Sequence, residues 1–201
     1  MRLGLAAMMA AGAAVLAACA ALQSSPRDGA LALMQRDFHA EGIAGMDRLK
    51  EDDVQAACNK YKDSPPAELD AKLRGKQYAG VKWPADGKLL GDWKAGEKIA
   101  QNGRGMTWRD KGGVGGGCYN CHQIGPDTTS FGTIGPSLYQ FGKLRGYGTD
   151  IQRYAYAKIY NAKAYNVCSQ MPRFGHVGAL TEAQMKDVTA LLMDPASPVN
   201  R

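Results

Sequence analysis

The residues most capable of chemistry are Cys118-Tyr119-Asn120-Cys121-His122. Their C-x-x-C-H spacing is that of covalent haem attachment. Two thiols so spaced reach one edge of a porphyrin and add to its two vinyl groups. The imidazole that follows becomes the proximal iron ligand. A structural zinc site would need a second pair of ligands at C-x-x-C or H-x-x-H spacing, and the chain has none. A redox dithiol of the thioredoxin kind would need a βαβ pattern around the motif, which is also absent. The motif therefore predicts one covalently bound haem c, attached through Cys118 and Cys121 and ligated by His122.

An iron so held takes a sixth ligand or keeps a position open. Met106, Met171, Met185, His39 and His176 are the candidates. A distal ligand belongs on a stiff loop. Met171 is followed by Pro172 and precedes the last helical pattern, whereas Met185 and Met34 fall on helical apolar faces and read as core. Met171 is the expected ligand and His176, five residues on, its rival. Thioether ligation raises the reduction potential and fills the iron, which favours electron transfer over oxygen or peroxide chemistry.

Cys19, Cys58 and Cys168 remain. Met1 to Ala18 has one cation, Arg2, and then an apolar run that is too short to span a bilayer comfortably, which reads as an export signal. Leu16-Ala17-Ala18-Cys19 resembles a lipobox, in which Cys19 is lipidated and the protein tied to a membrane face; ordinary cleavage after Ala20 is the alternative. Export places the protein in the periplasm, and two leftover thiols in an oxidising compartment predict a Cys58–Cys168 disulfide. Two buried free thiols, or a reactive Cys168 beside the haem, are the alternatives.

The elements that must position these residues read as helical throughout, which predicts an all-α fold. Residues 20–29 read as a linker. From Ala30 to about Lys62, Leu31, Met34, Phe38, Ile43, Met46, Leu49 and Val54 recur at three- and four-residue steps, broken near Gly42 and Gly45, which suggests two short helices. A third runs from Ala67 to Leu73, and 76–90 reads as irregular. The haem domain starts near Gly91, with Asp92 capping a helix to about Asn102. The glycine-rich run from Gly112 to Gly117 reads as a flexible loop. Thr149-x-x-Gln152 and Thr181-x-x-Gln184 read as capping boxes that open two more helices, the second stopped by Pro195. The expected division is an export signal over 1–19, a linker and helical extension over 20–90, and a haem domain over 91–201.

Net charge is +6, and the stretch from Lys72 to Lys111 holds ten Lys/Arg against four acids. Such an excess either keeps the surface solvated or presents a dock for an acidic partner. The cations are dispersed and no nucleic-acid motif accompanies them, so nucleic acid is not expected as a partner.

The capped helix, C-x-x-C-H, a Gly-Pro loop, a distal Met-Pro and a last helix together resemble the class I cytochrome c fold. The chain more closely resembles the SoxX family, the monohaem subunit of the SoxAX cytochromes. The resemblance is carried by Gly135-Pro136-Ser137-Leu138, Ile159-Tyr160, Tyr165-Asn166, Met171-Pro172-Arg173-Phe174-Gly175 and Leu180-Thr181 with Gln184, and covers Gly91 to about Asp194. It implies that the Pro136 carbonyl accepts a hydrogen bond from the far nitrogen of His122, and that Leu138 packs on the haem. It also implies partners: a SoxA-like cytochrome subunit in a heterodimer, a SoxYZ-like carrier protein, and a soluble cytochrome c as electron acceptor. In that setting thiosulfate is coupled oxidatively to a carrier cysteine at the SoxA-like haem, and this chain is a non-catalytic relay of an L-cysteine S-thiosulfotransferase. A stand-alone or lipid-anchored carrier, and a haem enzyme or gas sensor with an open iron, are the rival readings.

Overall fold

The structure, a computed structural model, describes residues 25–105, 115–126, 128 and 131–201. The expected export signal, Cys19, Met106, Arg109, Lys111, Gly112, Gly113 and Val114 lie outside the described residues. Among the described residues there are helices and no strand, so the fold is all-α. The chain divides into two compact units, 1–50 and 51–201.

In the first unit, α1 spans Pro26–Asp37. Ser25 caps it, its hydroxyl accepting the Asp28 N–H at 3.1 Å. The expected linker therefore ends before Pro26, because proline suits a first helical turn. A bridge between Glu41 and Ala44 and a 3-10 turn over Met46–Leu49 follow. The expected inward face does not form here: α1 buries no residue, and Leu33, Met34, Ile43 and Met46 are 44–50% exposed.

The second unit contains α2 (Asp53–Lys60), α3 (Ala67–Ala79), α4 (Trp93–Gln101), α5 (Phe141–Arg145), α6 (Thr149–Tyr160) and α7 (Glu182–Met193). Its frame is the crossing of α4 and α7. Gly96 and Ala100 of α4 are buried there, as are Met185, Val188, Leu191 and Leu192 of α7. At each N-terminus a side chain satisfies a backbone N–H that would otherwise lack a partner. Asp92 accepts from Lys94 at 2.9 Å, and Thr181 and Gln184 form a capping box. A second contact locks the crossing: the Asp92 N–H donates to Asp187 at 2.8 Å, and the Gly91 N–H to the Lys186 carbonyl at 3.0 Å.

Helix α6 starts differently from expectation. Gly148 occupies the cap position, Thr149 is already helical, and the Gln152 amide donates instead to the Tyr147 carbonyl. Helix α3 runs past Leu73 to Ala79 and carries Gly75 in its interior. Helix α5 was not anticipated. Its first N–H groups are capped from the far end of the chain: the Asn200 carbonyl oxygen accepts from Gly142 and Lys143 at 2.9 and 3.1 Å. The Asn200 amide in turn donates to the Leu192 and Asp194 carbonyls.

Residues 51–90 belong to the same compact unit as the C-x-x-C-H segment. Val81 and Leu89 are buried in the main core with Tyr156, Ile159 and Leu191. Trp83 stacks on Tyr156 at 5.8 Å, and Arg153 lies 4.0 Å over the Trp83 ring. The buried Gln77 side-chain oxygen accepts from the Asn161 amide at 2.8 Å, so each of these buried side chains has a partner. A second, smaller core joins Val54, Ala57, Cys58 and Leu73 to Val167. Of the basic stretch, Arg74 pairs with Asp70 at 2.6 Å, and Lys76 donates to Asp53. Part of its excess charge is thus neutralised within the fold.

Candidate functional site

Cys118 opens a 3-10 turn over Cys118–Asn120, and Cys121 and His122 follow it directly. The Cys121 and His122 N–H groups both donate to the Cys118 carbonyl, at 3.1 and 2.9 Å. That tight turn carries both thiols and the imidazole on five consecutive residues. The approach to it is docked, not loose as the glycine content suggests. The N–H groups of Gly115, Gly116 and Gly117 donate to the carbonyls of Arg104, Ile99 and Asn102 at 2.8–3.0 Å. Side chains would prevent this, since a Cβ on Gly115 would lie 2.5 Å from the Asn102 carbonyl carbon. Gly117 also has φ +56°, a conformation that glycine adopts without strain.

A second segment runs alongside the motif. Gly132, Gly135 and Leu138 donate their N–H groups to the carbonyls of Tyr119, Cys121 and Gln123 at 3.0, 2.9 and 2.8 Å. This lacing brings the Pro136 carbonyl oxygen to 2.7 Å from His122 Nδ1. A carbonyl only accepts, so Nδ1 carries a proton toward Pro136 and Nε2 is the nitrogen left to meet a ligand. Gly135 supports the ring from one side. A Cβ there would lie 2.5 Å from Nδ1 and 2.7 Å from Nε2. Gly135→Ala is therefore expected to turn the His122 ring away from Pro136. The check is the His122 Nδ1–H signal in the NMR spectrum, protected in the parent and exchanging freely in the variant.

Cys118, Leu138 and Met171 are each half-buried and pack against the same main core. Cys121 and His122 are half-buried as well, whereas Pro136 is exposed. Burial pushes the Cys118 thiol up to about 11. That is the opposite of the lowered value by which a redox-active dithiol is recognised. Among the other ligand candidates, His176 and His39 are exposed, and Met185 is buried in the core beside Gly175.

Cys58 and Cys168 form a disulfide, with Cα atoms 5.6 Å apart and a sequence separation of 110. A second tie joins the same two segments. Asp52 caps α2, one oxygen accepting the Gln55 N–H at 2.8 Å, and its other oxygen accepts from Arg173 Nη1 at 2.5 Å. Burial acts to raise the Asp52 carboxyl. The Gln55 N–H and the Arg173 guanidinium, by hydrogen bond and charge, outweigh it and keep the carboxyl below its ordinary value. Sequence reading missed Asp52 and Arg173. The Asp52-x-x-Gln55 capping box was a legible signal for the first; a partner 121 residues away has no local signal.

No protein-family model matches the chain. An uncharacterized lipoprotein of Aquifex aeolicus (strain VF5) is 36% identical over 155 residues, which is 75% of this chain and 73% of that protein. No helix among the described residues is long and apolar enough to cross a membrane.

Proposed function

This chain belongs to the family of that Aquifex aeolicus lipoprotein, and we propose that it is an exported, monohaem c-type cytochrome serving as an electron-transfer subunit of the SoxX kind. The observation that carries the reading is the His122 ring, its Nδ1 turned onto Pro136 and its Nε2 free, on the turn that bears both thiols. Cys118 and Cys121 would hold the porphyrin edge, and His122 and Met171 the iron, with Leu138 packed beside it. Haem bound there supplies one-electron transfer without bond making.

The chain's own residues do the rest. The Pro136 carbonyl fixes the imidazole in one tautomer and one orientation, which raises the basicity of Nε2. The absence of a side chain at Gly135 makes room for the ring in this orientation, since a Cβ there would collide with it. Met171 would offer its thioether to the iron and keep small ligands out. A closed site suits a relay, so the sulfur chemistry belongs to a SoxA-like partner acting on a SoxYZ-like carrier, and a soluble cytochrome c takes the electrons onward. Leu16-Ala17-Ala18-Cys19 and the name of the relative both support lipid attachment at Cys19 on the periplasmic side.

Production alongside a cytochrome c maturation system tests the reading. The expected product carries one haem that survives denaturation, and the Cys118→Ala/Cys121→Ala variant carries none. A chain that leaves the maturation system without haem would overturn the proposal. The parent is expected to resist carbon monoxide, and Met171→Ala to bind it. If the two behave alike, Met171 is not the ligand. Capture of a second haem protein from cells grown on thiosulfate separates the subunit reading from that of a stand-alone carrier.

A further inference from the structure

The loop that carries Met171 is anchored on both sides to one short helix. Before Met171, Cys168 is bonded to Cys58 in the last half of α2. After it, Arg173 reaches Asp52, the residue that caps the first turn of α2. Between these two ties the loop has little support of its own. The Met171 N–H donates to the Ser169 hydroxyl at 3.2 Å, and Pro172 has no N–H to give. Beyond Arg173 the chain is again well held, with Gly175 and His176 both donating to the Tyr160 carbonyl at 3.1 Å.

Met171 has somewhere else to go. It packs against the main core, but Met171 and Pro172 also line an open cleft with Gln55, Asn59, Lys163 and Arg173. A flexible thioether bordering both core and cleft adopts whichever position its backbone favours. Asp52 serves both ends of the arrangement, since one carboxylate oxygen starts α2 and the other fixes the loop. Arg173 is only 14% exposed in its side chain, so the pair is worth more than a surface ion pair.

We infer that α2 is a two-point clamp in which Asp52 and Arg173, together with the Cys58–Cys168 disulfide, act as positioning residues for Met171. That role for Met171 rests on the haem reading above. The clamp itself does not, and it can be read without haem.

The test uses the full-length chain, first without haem and then loaded. Asp52→Asn keeps an oxygen to cap α2 but presents an uncharged amide to Arg173. Arg173→Gln removes the partner and leaves the cap untouched. In the haem-free protein each variant is expected to speed hydrogen exchange at the 169–174 amides by about tenfold, the order expected for losing one charge-assisted hydrogen bond. Exchange at 56–60, within α2, is expected to stay as in the parent. The double variant should add nothing to either single one, because both remove the same interaction. In the loaded protein the same variants are expected to weaken the thioether–iron charge-transfer band and admit carbon monoxide. Unchanged exchange at 169–174 in both single variants, with the disulfide intact, would overturn the clamp. Faster exchange in a protein whose spectrum is the same with and without Met171→Ala leaves the clamp standing and removes the ligand.

Discussion

Replacing both Cys58 and Cys168 by alanine is expected to lower the stability of the 51–201 unit by about 4–5 kcal/mol. The cross-link spans 110 residues. Loop-closure entropy removed from the unfolded chain grows with the logarithm of that length, so this bond lies near the upper end of what a single disulfide supplies. The folded state keeps other ties between the same segments, namely Asp52 with Arg173 and Gln77 with Asn161. The loss should therefore come mainly from a freer unfolded state. Urea unfolding of the parent, the reduced parent and the double variant measures it. The reduced parent and the variant should share a midpoint well below that of the parent, with a larger denaturant slope. A loss under about 1 kcal/mol would show that the unfolded chain is already constrained, contrary to the loop-entropy account.

The second large effect is at the helix crossing. A Cβ on Gly96 would lie 2.6 Å from the Asp187 carbonyl carbon and 3.0 Å from the Val188 nitrogen. Both are backbone atoms, so no side chain can swing aside, and α4 must move off α7. That movement also stretches the bonds from Gly91 and Asp92 onto Lys186 and Asp187. Gly96→Val is expected to cost about 3 kcal/mol, in the range for overpacking a close-packed core. Gly96→Ala should also destabilise, although alanine is favoured over glycine within a helix by about 1 kcal/mol. Gly75 in α3 provides the matched control, since a Cβ there meets nothing within 4 Å. Gly75→Ala should raise stability by roughly 0.5–1 kcal/mol. Thermal unfolding of the three variants separates the terms. If Gly75→Ala and Gly96→Ala shift the midpoint in the same direction, propensity outweighs packing at the crossing.

Both effects bear on the site. The α4–α7 crossing builds the core on which Cys118, Leu138 and Met171 rest. The disulfide ties the loop of Met171 to α2. A loss of stability at either place is expected to reach Cys118, Leu138 and Met171 before it reaches the first unit.

Much of this was determined by the sequence alone, wherever the physics is local. The C-x-x-C-H spacing puts two thiols and an imidazole within five residues, close enough to share one turn. Asp92 and Thr181 with Gln184 open α4 and α7 because a cap acts within one helical turn. With Cys118 and Cys121 assigned to the motif and Cys19 to the leader, Cys58 and Cys168 were the two thiols left to pair, and they form the disulfide. Periodicity misled in α1, which buries no residue among the described residues and leaves Met34 exposed.

The tertiary structure decided the contacts between distant segments. Residues 76–90 read as irregular because Val81, Trp83 and Leu89 show no pattern among themselves. They acquire a role only against Tyr156 and α7. Gly135 and Gly96 look like any other glycines until the His122 ring and the Asp187 backbone lie against them. Asn200 caps α5 from 57 and 58 residues away, and Arg173 reaches Asp52 across 121. A close approach between distant segments depends on where the chain returns to itself, and neither composition nor local spacing encodes it.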